Sequence, residues 1–159
     1  MRHAGIAALL AGLAASAPPA AAGAAQGIDP TGLWLTENER AAIRISRCEQ
    51  GLCGRIAWIV DDGMKRDSKN PDASKRDRPM CGLKILWGVE QQADDPNAWE
   101  DGKVYKANEG KTYGVELTLE DRDTMTVRGY VGFSLLGRSQ TWTRVSPEQY
   151  PPCEAPEQG

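Results

Sequence analysis

The segment RGYVGFSLLGRSQTWTR, residues 128–144, decides the predicted fold. Apolar and polar residues alternate on both sides of residues 136–137, and this period of two is typical of a β-hairpin. With the turn at residues 136–137, Val131 faces Trp142. Trp142 and Arg144 then lie on the apolar face of the hairpin. The pattern therefore predicts that Arg144 points inward at the end of the last strand.

An inward arginine is unfavourable unless acceptors or an aromatic face receive its charge. Trp34, in the segment TGLW on the first predicted strand, offers such a face. The first and last strands can be neighbours only if the sheet closes on itself. We therefore expect Trp34 and Arg144 to latch one end of a closed β-barrel, which also removes the exposed edges of the sheet.

Frequent turn residues and apolar alternation predict an all-β domain of about eight antiparallel strands. The predicted strands are 31–36, 40–48, 52–60, 82–91, 102–107, 111–120, 124–136 and 138–145. The connections are short except for a charged loop at residues 61–80. Within that loop, Asn70 is expected to cap a single helical turn with Pro71 at its first position.

The N-terminus has the pattern of a secretory signal peptide over residues 1–25. A positive start is followed by an apolar run at residues 4–15 and then by small residues, which allow cleavage after Ala22 or after Ala25. The apolar run is too short to span a bilayer, and no longer run follows, so no transmembrane segment is expected. These features predict a periplasmic or secreted protein.

Cleavage would leave about 134 residues, the size of one domain. We expect the barrel domain to cover residues 26–146 and a proline-rich tail to cover residues 147–159. The whole chain has a formal net charge of −3, and Arg2 is the only charged residue of the signal segment. The exported chain is thus mildly acidic, which argues against nucleic acid as a partner.

The chemistry of the side chains argues against catalysis. The only histidine is His3, so the exported chain lacks the commonest general base and metal ligand. Its serines then have no histidine to activate them. The adjacent acids at residues 61–62 and 94–95 fit turns better than a pair of carboxylates across a cleft. We therefore predict no catalytic residue, no metal site and no cofactor.

The four cysteines predict disulfides, because an even number in an exported chain favours them. Three pairings are open by count alone. A turn at residues 50–51 places Cys48 directly opposite Cys53, within bonding distance. The second pair, Cys81–Cys153, follows by exclusion. The same register places Trp58 opposite Ile43, on the apolar face.

The interior of the predicted barrel is the expected ligand site. A turn in the segment ANEGK would set Tyr105 opposite Tyr113. The candidate lining residues are the aromatic side chains Trp58, Trp87, Tyr105, Tyr113 and Phe133. A filled core is the alternative, because eight strands leave room for side chains or for one small ligand.

The loop at residues 61–80 is expected to pack as an ordered lid over one barrel end. Arg76 and Arg78 would offer their donors either to an anionic group of a ligand or to the loop's own carboxylates, Asp67 and Asp72.

Several motifs along the chain resemble, in order and spacing, a family of small exported bacterial proteins known as domain of unknown function 2147. The motifs are GLWLT, IRISRCEQGLCGRIAWIV, RDRPMCGLKIL, WEDGKVYKANEGKTYGVELTL and VRGYVGFSLLGRSQTWTR. The sequence departs from the family at Lys106 and Ala107, where Asp-Pro is more common. The resemblance implies an exported, lipocalin-like up-and-down barrel, and it carries over no catalytic residues.

Together these features predict an exported, non-enzymatic barrel that binds a small molecule or a component of the cell envelope. Two alternatives remain. One is a protein-interaction module that acts through the loop at residues 61–80, and the weaker one is a hydrolase that uses carboxylates.

Overall fold

The computed structural model describes residues 26–154, so the predicted signal peptide lies outside the described residues. Eight strands follow one another along the chain. They are β1 Gly32–Leu35, β2 Ala41–Cys48, β3 Gly51–Ile59, β4 Lys84–Gln91, β5 Ala98–Lys106, β6 Lys111–Leu119, β7 Thr124–Tyr130 and β8 Arg138–Val145. In the described part of the chain, no helix is long and apolar enough to cross a membrane.

Each strand pairs with the next in antiparallel orientation, and β1 pairs with β8 to close the barrel. The predicted all-β fold, with a single eight-stranded up-and-down barrel, is therefore confirmed. In the closing pair, Trp34 faces Arg144, as the inward direction of Arg144 requires. Closure leaves no row of unpaired backbone groups along a sheet edge.

The two barrel ends differ in their connections. The β1–β2, β3–β4, β5–β6 and β7–β8 connections meet at one end, here called the open end, since successive antiparallel strands reverse direction. The other connections and the segment before β1 meet at the closed end. The interior next to the closed end is filled by buried apolar side chains, among them Trp34, Val89, Trp99, Leu117 and Met125.

The β7–β8 connection corrects the predicted strand at residues 124–136. β7 ends at Tyr130, and residues 131–137 form a loop with a short 3-10 turn at Ser134–Leu136. Trp142 faces Met125 instead of Val131. The apolar run after Tyr130 is an exposed loop instead of a strand, and the Arg128 guanidinium donates to the Ser134 and Leu135 carbonyls of this loop.

The first hairpin also differs from its predicted register. Cys48 faces Gly51, and Cys53 faces Ser46, so the two cysteines are diagonal neighbours and not direct partners. A bulge between Ala42 and Ile43 shifts the register once more along the hairpin. As a result Trp58 faces Ala42, on the outer surface of the barrel, instead of Ile43.

The third hairpin is displaced by one residue. Tyr113 faces Val104, and Tyr105 faces Thr112. A displacement of one residue exchanges the two faces of a strand. Tyr105 therefore turns away from Tyr113 and lies beneath the loop at residues 61–80. β5 also begins at Ala98, four residues before its predicted start.

The loop at residues 61–80 is ordered by its own contacts. A single helical turn is present at Ala73–Lys75, but its cap is Asp72, whose side chain accepts a hydrogen bond from the Ser74 N–H. Asn70, the predicted cap, instead accepts from the Asp72 N–H at 2.9 Å. The loop packs closely on the β5–β6 turn, since a Cβ at Gly110 would lie 1.9 Å from the Lys69 carbonyl oxygen.

Both predicted disulfides are present. Cys48–Cys53 staples the β2–β3 turn at the closed end. Cys81–Cys153 joins the end of the loop at residues 61–80 to the C-terminal tail. The tail is therefore held against the barrel, where Tyr150 makes an edge-to-face contact with Trp58 at 5.0 Å. Residues 155–159 of the predicted tail lie outside the described part.

Candidate ligand-binding site

A cavity of about 1040 Å³ occupies the open end of the barrel. Its wall is mainly apolar, and it is bordered by Ile43, Ile56, Ile59, Met64, Met80, Ile85, Val104, Val127 and Trp142. The volume is slightly above the range of about 300–1,000 Å³ that is typical of sites for small ligands. Filled core and open cavity, which the sequence left as alternatives, thus occupy different halves of the same barrel.

The absence of a side chain at Gly129 helps to create this space. Gly129 lies two residues beyond Val127 on the inner face of β7, and it borders the cavity. A Cβ built at Gly129 would have no atom within 4 Å. A larger residue could therefore enter the cavity at this position without moving the backbone.

The mouth of the cavity carries charged and polar groups. Lys106 contacts Glu109 at 2.6 Å, and Arg40 contacts Asp62 at 3.2 Å. Arg138 also borders the mouth, and among the described residues it forms no ion pair. A polar rim around an apolar interior suits a molecule with an apolar body and one charged or polar end.

Glu109 is the most strongly contacted acid at the rim. The Lys106 ammonium, and then the Tyr113 hydroxyl, hold the pKa of Glu109 below its ordinary value. The Tyr113 hydroxyl donates to Glu109 at 2.5 Å, and this bond raises the pKa of Tyr113. Glu109 is thus ionised at neutral pH and fixes both Lys106 and Tyr113 at the mouth.

The predicted lining residues are dispersed. Of the five aromatic candidates, Tyr113 alone borders the cavity. Trp58 packs outside under the tail, Trp87 faces Lys103 on β5, and Phe133 is 76% exposed on the β7–β8 loop. The expectation of a shared aromatic pocket is therefore corrected. Register differences in the first and third hairpins turn Trp58 and Tyr105 outward, and Phe133 lies in a loop instead of a strand.

Tyr105 belongs to a buried polar cluster under the loop. Its hydroxyl donates to Asp67 at 2.6 Å, and Asp67 is fully buried. Asn70 and Arg78 also donate to Asp67, at 2.7 and 2.8 Å. Burial, and then the bond to Asp67, raise the pKa of Tyr105 to about 12. This cluster fastens the loop to the outer side of β5.

The two loop arginines have different contacts. Arg78 pairs with Asp67, and Arg76 donates its Nε–H to the Asn70 carbonyl at 2.8 Å. Asp72 pairs with Lys75 instead of Arg76. The loop contributes Gly63, at its start, and two methionines to the cavity wall and otherwise packs beside the mouth. A ligand role for either arginine stays a prediction.

At the closed end, the Arg144 guanidinium lies over the Trp34 ring, 4.2 Å from its centre. It donates to the backbone carbonyls of Asp29, Thr31 and Arg122. Gly32 permits this arrangement, since its φ is 132° and a Cβ there would lie 2.6 Å from Nη1 of Arg144. Each nitrogen of the inward guanidinium thus has one backbone acceptor.

Sequence reasoning predicted that Trp142 points inward but did not identify it as part of the cavity wall. Gly129 and the aliphatic residues of β2, β3 and β4 were also missed. The signal available was the contrast along β7, where Met125 and Val127 are followed by a glycine on the same face. Within residues 26–154, no group of three or more His, Cys, Asp or Glu side chains could hold a metal ion.

The fold is similar to a solved structure. A protein from the human pathogen Helicobacter pylori, HP1028, which belongs to the lipocalin family, superposes with a TM-score of 0.68. The two sequences are 21% identical, and the match covers 77% of this chain and 86% of the other. At this identity the likeness establishes a lipocalin-like fold. No curated protein matches the sequence.

The family model described as "Uncharacterized protein conserved in bacteria (DUF2147)" matches residues 32–144, which span the barrel from β1 to β8. The match covers well over half of the sequence and includes the Trp34–Arg144 pair. The chain therefore belongs to the DUF2147 family.

Proposed function

We propose that this protein is an exported, non-enzymatic binding protein that holds one small, largely apolar molecule in the cavity at the open end. The observation that carries the proposal is the cavity of about 1040 Å³, with aliphatic walls and a charged rim. The lipocalin-like fold is compatible with such a role. The two disulfides fit an oxidising compartment outside the cytoplasm.

The ligand would enter with its apolar part towards Ile43 and Trp142 and leave its polar end among Arg138, Lys106 and Tyr113. Burial of apolar surface against the aliphatic wall would supply most of the affinity. Arg138 would receive an anionic end group, since its donors are not engaged by an acid within the described residues.

The direct test fills part of the cavity with a larger side chain. Gly129→Phe would direct a ring into the cavity, since a Cβ built at Gly129 has no atom within 4 Å. Thr141→Phe is the matched control, because Thr141 is exposed on the adjacent strand and its backbone N–H, not its side chain, binds Glu37. The probe is 1-anilinonaphthalene-8-sulfonate, which is apolar and anionic, and its fluorescence reports binding.

We expect Gly129→Phe to weaken binding of this probe at least about tenfold, which is the effect of losing one well-packed apolar contact region. Thr141→Phe should bind as the wild type does. Equal binding by the wild type and Gly129→Phe would show that the cavity is not the site. Native mass spectrometry of protein isolated from the periplasm would then identify the natural ligand, and its recovery without chemical change would support a non-enzymatic role.

The alternative, an interaction module at residues 61–80, has less support. The loop's buried acid and the Nε–H groups of both arginines are engaged within the loop or on Tyr105. A variant in which Arg76 and Arg78 are both alanine separates the two functions. Binding of the probe should persist in this variant if the cavity is the site.

A further inference from the structure

The β7–β8 loop exposes the four large apolar side chains that stand out from the described surface. Val131, Phe133, Leu135 and Leu136 are 71%, 76%, 89% and 78% exposed. Exposed apolar residues occur singly on most proteins, but a cluster of this kind marks an interaction site. We call these four residues the apolar tip.

The apolar tip is held in place by the chain itself. Arg128 donates from Nε to the Ser134 carbonyl at 2.7 Å and from Nη2 to the Leu135 carbonyl at 3.2 Å. Its Nη1 also donates to the Ser139 hydroxyl at 3.1 Å. One guanidinium thus joins β7, the loop and β8. The apolar side chains are exposed by a defined loop conformation, so little ordering is needed when a partner binds.

We propose that the apolar tip docks the barrel onto an anionic lipid surface, with the open end towards the membrane. The charge pattern favours this partner. Residues 129–137 contain no charged side chain, and arginines stand at both ends of the segment, at positions 128 and 138. Arg128 is engaged by the loop itself, whereas Arg138 forms no ion pair among the described residues. An apolar centre beside an arginine of this kind matches the boundary between acyl chains and anionic headgroups.

The composition and position of the tip also favour a lipid surface. The four side chains are exposed on a loop that joins two strands at the open end. A protein partner would need a surface complementary to this loop, whereas acyl chains adapt to any apolar shape. Phe and Leu are among the side chains that bury readily at the membrane boundary.

The position of the tip connects it to the cavity. Val131 and Leu136 border the cavity mouth, whereas Phe133 and Leu135 do not. Docking would therefore place the cavity mouth at the lipid surface, where an apolar molecule could pass between the two without crossing water. The docking proposal stands on the loop and does not depend on the identity of a ligand.

The test uses Phe133→Ser combined with Leu135→Ser, because these two residues leave the cavity wall intact. The protein begins at Gln26, since the apolar segment at residues 4–15 would itself bind vesicles, and the barrel and both disulfides lie within the remainder. Flotation is measured with vesicles of phosphatidylethanolamine and phosphatidylglycerol at a ratio of about 7 to 3, and with phosphatidylcholine alone. These headgroups provide the anionic and uncharged surfaces that the charge argument distinguishes.

We expect the wild type to float with the anionic vesicles and the double variant to bind at least about tenfold more weakly. Arg138→Gln should reduce binding to anionic vesicles, and Arg47→Gln, the same change at the closed end, should not. The double variant should keep the thermal midpoint of the wild type and its binding of 1-anilinonaphthalene-8-sulfonate, which distinguishes loss of docking from loss of fold or cavity.

Equal flotation of the wild type and the double variant would overturn the proposal. Sedimentation velocity without lipid tests the competing occupant, a second copy of the chain. A wild-type dimer that the double variant converts to a monomer would assign the tip to self-association and would also overturn membrane docking. A monomer that requires Phe133 and Leu135 for flotation would support it.

Discussion

The two ends of the barrel differ in how their interior is occupied. At the closed end, Trp34 and Trp99 fill the interior, and Arg144 covers Trp34 while it binds three backbone carbonyls. At the open end, a glycine stands on the inner face of β7, and the interior remains a cavity. The closed half of the barrel is thus packed and contributes stability, whereas the open half leaves space for a ligand.

The outer supports of the two ends differ as well. The closed end has a disulfide within a tight turn, Cys48–Cys53. The open end is flanked by the loop at residues 61–80, which is fastened by the buried Asp67 and by Cys81–Cys153. The difference indicates that the open end depends on polar and covalent contacts outside the barrel, because its interior offers less packing.

The largest effect is expected at the closed end. Trp34→Ala should lower the free energy of unfolding by about 3–5 kcal/mol, because it removes a fully buried ring and leaves a void beneath Arg144. Urea unfolding monitored by circular dichroism measures this change. A loss of less than about 1 kcal/mol, the size expected of a surface substitution, would contradict the division between a packed end and an open end.

The disulfides provide the second comparison. In the chain-entropy model, Cys81–Cys153, with a sequence separation of 72, contributes about 4 kcal/mol, and Cys48–Cys53, with a separation of 5, contributes about 2 kcal/mol. Serine replacement of each pair, followed by thermal unfolding, tests the ranking. A larger loss from the short pair would show that the tail does not support the open end.

The third effect concerns the loop. Asp67→Ala should cost about 3 kcal/mol, because it leaves Tyr105, Asn70 and Arg78 without their shared acceptor. Hydrogen exchange should then increase across residues 61–80 and not at the closed end. Asp67→Asn is the matched control, since it keeps an acceptor for Tyr105 and should lose less.

The sequence predicts the direction of a side chain correctly when the predicted strand pairing is displaced by an even number of residues, and wrongly when the number is odd. In the last hairpin Trp142 faces a residue six positions earlier than predicted, and an even displacement keeps each side chain on its face. The inward direction of Arg144, and with it barrel closure, was therefore predicted correctly from a wrong register. The predicted pairing of Cys48 with Cys53 is also wrong by an even number of residues, since Cys53 faces Ser46. The two cysteines therefore stay on one face as diagonal neighbours.

The register errors that affect Tyr105 and Trp58 at the candidate site are displacements by an odd number of residues. One residue of displacement turns Tyr105 away from Tyr113, and the bulge beside Ala42 turns Trp58 outward. Turn geometry and bulges depend on contacts between distant segments, such as the packing of Gly110 on the Lys69 carbonyl. A single sequence does not contain these contacts in readable form. Most of the predicted lining residues were therefore misplaced, although the fold and the position of Tyr113 at the cavity were predicted correctly.

The fourth prediction concerns pH. The pKa of Tyr105 is about 12 in the fold, above the ordinary tyrosine value of 10, because burial and Asp67 favour the neutral hydroxyl. Its contribution to stability is fully present below pH 10 and is lost as the pH rises from 10 to 12. The loss should be at most about 2–3 kcal/mol. Unfolding measured across this range in the wild type and in Tyr105→Phe should show a shallower decline in the variant, and parallel declines would contradict the assignment.

The smallest effect is expected at the cavity wall, and a matched pair of valines tests it. Val89 is fully buried near the closed end, and Val127 is 5% exposed and borders the cavity. Val89→Ala removes two methyl groups and creates a void among close-packed neighbours, so it should cost about 2–3 kcal/mol. Val127→Ala removes the same atoms but only enlarges an existing space, so the void term is small and the cost should be about 1 kcal/mol. Urea unfolding of both variants measures the difference directly. Addition of 1-anilinonaphthalene-8-sulfonate should then stabilise the wild type and Val127→Ala, because a ligand that binds only the folded state raises its stability. Equal costs for the two valines would mean that the open end is as tightly packed in solution as the closed end.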